Sequence, residues 1–117
     1  MRVIVCGGRS YADKERVWGV LNKIHATTQI DEIVHGGAAG ADYLAKLWAR
    51  MHFGVTETEF RADWKRDGKA AGPKRNEIMA KYGAELCVAF PGGSGTADMV
   101  RRAERRNIPI QKVDWNV

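Results

Sequence analysis

No apolar run in this chain approaches the roughly 18–20 residues that span a bilayer, and its first residues pass straight into a short strand-like segment, Arg2 to Cys6. Neither a membrane anchor nor a leader is expected, and the protein is read as cytoplasmic. Cysteine is scarce too. Cys6 and Cys87 each lie inside an apolar run, with no C-x-x-C spacing and no histidine cluster beside them. That pattern argues against a disulfide scaffold and gives no metal site, so both read as reduced core residues. Also missing are a Ser/His/Asp arrangement and a Walker loop with its lysine. No catalytic residue is assigned.

What is present is an ordinary globular composition, 44% hydrophobic and 28% charged over 117 residues. It argues against disorder and for one folded domain, residues 1–117. Apolar residues switch between two periods along the chain. Strand-like segments at Arg2 to Cys6, Glu32 to His35, Val55 to Phe60, Leu86 to Phe90 and Ile110 to Trp115 alternate with helical ones. The helices are expected at about 12–26, from Asp42 to about Phe53, from Gly72 to Tyr82 with Gly83 as C-cap, and at 97–106. Strands alternating with helices predict βαβ units, hence an α/β fold with a parallel sheet covered on both faces. One connection, 61–71, is long and charged and is expected to be functional or mobile.

Three strand-to-helix turns carry a glycine pair: Gly7-Gly8, Gly36-Gly37 and Gly92-Gly93. In a doubly wound sheet such turns share one rim, the carboxyl edge where ligands bind. The third is the most informative. Pro91-Gly92-Gly93-Ser94-Gly95-Thr96 joins a buried-looking strand to a helix, so bare backbone N–H groups and the positive end of the helix dipole face one point. A phosphate suits that point.

The charge distribution agrees. Net charge is +5, yet residues 61–75 hold six basic side chains against two acids, and 101–106 hold four arginines against Glu104. Basicity gathered in two stretches points to anionic partners at defined places. Lys74 and Arg75 stand at the start of a helix, where the dipole disfavours cations unless an anion sits there. Arg9 follows the first glycine pair and can reach a phosphate or pair with Asp13. Asp42, in the opening turn of the second helix, complements its dipole or meets a ribose hydroxyl. Trp64 stacks on a base or packs beneath its own loop, and the residues leave both open. His35 reads as structural. In the last turn of their helix, the arginines at 101–106 complement its dipole.

Five segments together carry a family resemblance. They are Gly7-Gly8-Arg9-Ser10-x-x-Asp13, His35-Gly36-Gly37-Ala38-Ala39-Gly40-Ala41-Asp42, Ala62-Asp63-Trp64, Gly72-Pro73-Lys74-Arg75-Asn76-x-x-Met79 and Pro91 to Thr96. In this order they resemble the YspA-like branch of the SLOG superfamily over almost the whole chain. The resemblance implies a Rossmann-like three-layer sandwich with about five mostly parallel strands and helices on both faces. It also implies nucleotide or NAD- and ADP-ribose-derived ligands, and roles as sensors or effectors in bacterial and phage conflict. The LOG phosphoribohydrolases and the DNA-processing protein DprA are related to this superfamily. LOG enzymes cleave an N-glycosidic bond with an arginine, matched here by Arg75, and a glutamate in P-G-G-x-G-T-x-x-E. Met99 stands at the glutamate position, and Asp98 projects about 100° away from it on a helix.

The reading that follows is a binding module for an ADP-ribose-like or other phosphorylated nucleoside, with no further cofactor. Its expected ligand-binding residues are Gly8, Arg9, Gly36, Gly37, Asp42, Trp64, Arg75, Asn76, Pro91, Gly92, Gly93, Ser94, Gly95 and Thr96. A sensor and a phage-type sponge both fit. One alternative is a LOG-type nucleotide hydrolase using Asp98 or Glu77. Another is DprA-like nucleic-acid binding through 61–75 and the face of Arg101, Arg102, Arg105 and Arg106. A homo-oligomer is compatible with the sequence, with Trp18, Trp48 or Trp115 at an interface or in the core.

Overall fold

The computed structural model describes residues 1–114. Five strands, β1 (Arg2–Cys6), β2 (Glu32–His35), β3 (Thr56–Glu59), β4 (Leu86–Ala89) and β5 (Ile110–Lys112), form one sheet in the order β3-β2-β1-β4-β5. Every pairing is parallel, where the sequence suggested a mostly parallel sheet. The helices are α1 (Lys14–Thr27), α2 (Ala41–Arg50), α3 (Trp64–Asp67), α4 (Ala71–Tyr82) and α5 (Ser94–Arg105). The fold is an α/β, Rossmann-like sandwich.

Period-two alternation in β1 divides the core. Val3 and Val5 pack with Val17 and Leu21 of α1 and Ala45, Trp48 and Ala49 of α2. Ile4 and Cys6 face the other way, onto Met79 and Ala80 of α4 and Met99, Val100 and Ala103 of α5. Trp48 is thus a core residue and Trp18 is partly buried against the same cluster. Trp115 lies outside the described residues. Both cysteines are buried free thiols, and no described helix is long and apolar enough to cross a membrane.

Several boundaries differ from the sequence reading for local reasons. Helix α1 opens at Lys14 rather than Ala12 because the Asp13 carboxylate caps it, accepting from the Arg16 N–H at 3.0 Å. The α2 helix ends at Arg50, three residues short of the expected Phe53. By contrast α5 begins three residues early, at Ser94, so half of the glycine-rich turn is its first turn. The connection 61–71 is not an open loop. It contains α3, capped by Asp63 onto the Arg66 N–H at 3.1 Å, and a 3-10 turn over Gly68–Ala70. The last strand ends at Lys112, short of the expected Trp115.

Strands β1 and β4 are neighbours, yet α1 leaves β1 toward one face and α5 leaves β4 toward the other. Chains diverging from adjacent strands leave a crevice at their carboxyl ends. The site lies there.

Candidate functional site

At that switch point lies a cleft of about 550 Å³, floored by Cys6, Met79 and Met99 and rimmed by the turns after β1, β2 and β4. The turns interlock through their backbones. Gly8 N–H donates to Pro91 O at 2.9 Å, and Gly8 O accepts from the N–H groups of Tyr11 and Ala41 at 3.2 and 3.3 Å. A side chain at Gly7 would overlap Ala41 and Phe90, and one at Gly92 would overlap Thr96 and the Gly8 amide. These glycines let three loops touch. Pro91 and Gly92 accordingly face away from the main cleft, lining a neighbouring hollow of about 420 Å³ that shares Gly93 and Thr96 with it.

The turn after β2 is filled from within. Asp42 Oδ2 accepts from the Gly36 N–H at 3.1 Å and the Ala38 N–H at 3.3 Å. Burial pushes this carboxyl above its ordinary pKa, against the Ala38 hydrogen bond, the nearby His35 and Arg75, and the Gly36 hydrogen bond, which favour its charge. His35 is fully buried; its Nδ1 accepts from the Gly37 N–H at 3.0 Å and its Nε2 faces Glu57 at 3.3 Å. Gly37 abuts the Glu59 carboxylate. His35 and Asp42 therefore brace this turn.

The turn after β4 is built differently. No side chain caps α5 at Gly93, no acid stands in its first turn, and nothing lies within 4 Å of where a side chain at Gly93 or Gly95 would begin. Opposite it stands Arg75 of α4. Its Nη1 donates to Gly36 O at 2.6 Å and, more weakly, Phe60 O at 3.4 Å, while Nε donates to Asn76 Oδ1 at 2.9 Å. Burial lowers its pKa; Asp42 opposes that and Arg9 adds to it. Buried Asn76 completes the bracket, donating to Gly95 O at 3.2 Å and Asp98 Oδ2 at 3.0 Å. Arg75 is thus fixed relative to the α5 terminus by one intervening side chain.

Asp98 is committed. Arg102 Nε lies 2.9 Å from its Oδ2 and Arg101 pairs with it at 3.6 Å. Burial pushes the carboxyl up, but hydrogen bonds from Arg102 and Asn76 outweigh this and hold it below its ordinary value. The expected conflict at Lys74 is also met inside the chain, because Lys74 pairs with Asp67 at 3.0 Å. Arg9 does not pair with Asp13, whose carboxylate caps α1. Instead its guanidinium lies 5.7 Å from the Trp64 ring across the mouth of the cleft. Trp64 rests with its ring edge over Gly72.

The cleft therefore gathers Gly8, Arg9, Gly36, Asp42, Trp64, Arg75, Asn76 and Gly93 through Thr96 from the expected set. Gly37, Pro91 and Gly92 serve the turns behind it. Two lining cations, Lys69 and Arg101, are additional. Their presence in the two basic stretches was the available signal. Among the described residues no group of three or more histidine, cysteine or acidic side chains is placed to hold a metal.

The fold and cleft define a parallel α/β protein with an anion-compatible helix terminus at its switch point. The sequence profile of the YspA, cpYpsA-related SLOG family matches residues 1–66. A relative printed as "Gene 61 protein", from Mycobacterium phage D29, is 40% identical over 116 residues covering 93% of each chain. The chain belongs to the YspA, cpYpsA-related SLOG family.

Proposed function

We propose that the protein binds a phosphorylated nucleoside, of the ADP-ribose or NAD-derived kind, in the β1–β4 cleft and does not cleave it. The observation that carries this is the uncapped start of α5, whose Gly93 and Gly95 have open space beside them and line the same cleft as Arg75. Backbone N–H groups and the helix dipole supply positive potential to a phosphate there, and Arg75 adds charged donors already held in place. Family membership supports a nucleotide-related role.

Cleavage of the LOG type needs a carboxyl group free to act on the ligand. Met99 offers none, Asp98 is held by Asn76, Arg101 and Arg102, and Glu77 is paired with Arg102 and Arg106. Those pairs also occupy three of the four arginines that a nucleic-acid surface would use, Arg101, Arg102 and Arg106. Ligand capture without turnover is what a sensor or a sequestering sponge requires.

The test is a thermal-shift and calorimetric screen with ADP-ribose, NAD, AMP and cyclic nucleotides, followed by chromatography of the recovered ligand. A true ligand at 100 times its Kd stabilises by about 2.7 kcal/mol, which for a domain this size raises Tm by roughly 10 °C or more. The ligand should be recovered intact. No stabilisation by any of them would contradict the binding reading, and release of free base would contradict the absence of cleavage.

A further inference from the structure

We infer that Arg9 and Trp64 form a clamp that takes the ligand's base between guanidinium and indole, and so reads the base by stacking rather than by hydrogen bonds. The inference rests on the nucleotide reading above and adds how the base is held. Three observations carry it.

The first is spacing. The Arg9 guanidinium carbon stands 5.7 Å from the Trp64 ring centroid. Close carbon contact is about 3.5–4.0 Å, so the pair is wider than a direct stack. A flat base between them needs about 7–8 Å, two such contacts. Opening by about 2 Å turns a loose pair into a filled sandwich.

The second is freedom to open. Trp64 is 50% exposed, unusual for an indole, and neither α3 nor the following 3-10 turn buries any residue. Arg9 is exposed, and no described carboxylate pairs with it. Gly72 provides a seat. It occupies the second position of α4, where alanine would favour the helix, and a side chain there would begin 3.3 Å from the Trp64 ring.

The third is position. Arg9 and Trp64 line the same cleft as Gly93, Gly95 and Arg75, so a phosphate at the α5 terminus and a base at the mouth belong to one ligand. Every base has a π-face, and a guanidinium over it adds cation–π attraction. Such a clamp tolerates different bases but discriminates against a ligand that has none.

The experiment compares AMP, GMP, UMP and ribose 5-phosphate by calorimetry on the wild type, Trp64→Ala, Trp64→Phe and Arg9→Ala. The three nucleotides should bind within roughly tenfold of one another, and ribose 5-phosphate more weakly by roughly 5- to 150-fold, the worth of one stacked base. Trp64→Ala should bring AMP down to the level of ribose 5-phosphate while leaving ribose 5-phosphate unchanged. Trp64→Phe should retain most of the difference, and Arg9→Ala should lose part of it. Equal loss of AMP and ribose 5-phosphate in Trp64→Ala, or no loss of AMP, would overturn the clamp and leave the phosphate site standing. No binding to the wild type of any of the four compounds, nor of ADP-ribose or NAD measured beside them, would overturn the clamp together with the nucleotide reading. Binding of ribose 5-phosphate as tight as AMP would overturn the clamp alone.

Discussion

The turns after β2 and β4 are near twins in sequence, each a glycine pair opening a helix at the same edge of the sheet. Neither helix has a capping side chain at its N-cap, which is Gly40 for α2 and Gly93 for α5. Their uses differ because of one carboxylate. Asp42 folds back into the β2 turn and accepts from Gly36 and Ala38, so that turn carries its own anion. The α5 start has no acid in its first turn and faces open space. A glycine-rich helix start is therefore a potential anion site in both places. Only in the second is it left to a ligand.

The sharpest contrast comes from glycine substitutions. Gly40 has φ +79°, and a side chain there would run into the backbone of Gly8 and Arg9. Gly40→Ala should cost about 3 kcal/mol or more through left-handed strain and overlap, read as a fall in the urea midpoint. A midpoint unchanged within error would show that the turns after β1 and β2 are not locked together. Removing the internal anion is the next largest effect. Asp42→Ala leaves two backbone N–H groups without their acceptor, for a loss of about 2 kcal/mol in the same assay. Full stability in that variant would mean the β2 turn does not depend on its carboxylate.

Gly95→Ala reverses the sign. Its side chain meets nothing within 4 Å and its backbone is helical, so stability should rise by about 0.5–1 kcal/mol. Nucleotide affinity should fall, because the added methyl group stands in the space assigned to phosphate. A variant that is more stable and binds as well as the wild type would move the phosphate elsewhere.

The smallest effect concerns pH, and it separates the two carboxylates. Asp98 lies below its ordinary pKa, so its contribution is complete above about pH 4 and is lost as pH falls through its folded value. Asp42 lies above its ordinary value. The native state therefore binds its proton more readily than the unfolded chain, and stability from this group declines as pH rises through the raised value. Asp98→Asn should flatten the loss of stability as pH falls below about 4. An acid limb as steep as that of the wild type would show that the Asn76 and Arg102 bonds do not bias its protonation.

Much of this arrangement was legible in the sequence. Apolar runs of strand length between helix-period segments fixed the α/β class, because a parallel sheet buried on both faces needs such runs. The three glycine pairs located the rim because the strand-to-helix turns of a doubly wound sheet share its carboxyl edge. What stayed hidden was the direction in which side chains turn. Asp42 opens its helix as a dipole-complementing acid would, and only the folded turn brings Oδ2 to the Gly36 and Ala38 amides. Likewise α3 has four polar or aromatic residues and no repeating apolar face, so periodicity is silent. Asp63 three residues before Arg66 was the one local signal, an N-cap pattern. The expected Lys74 conflict dissolved because Asp67, on that short helix, comes round to pair with it.

A turn left open where its twin is filled can be observed amide by amide. Titrating nucleotide into isotopically labelled protein and following backbone N–H resonances reports both turns at once. Large shifts are expected at Gly93, Ser94, Gly95 and Thr96, with Ala38 nearly still because Asp42 already holds it. Shifts concentrated at Ala38 and its neighbours in the β2 turn, with Gly93 to Thr96 unmoved, would contradict a phosphate site at the open turn.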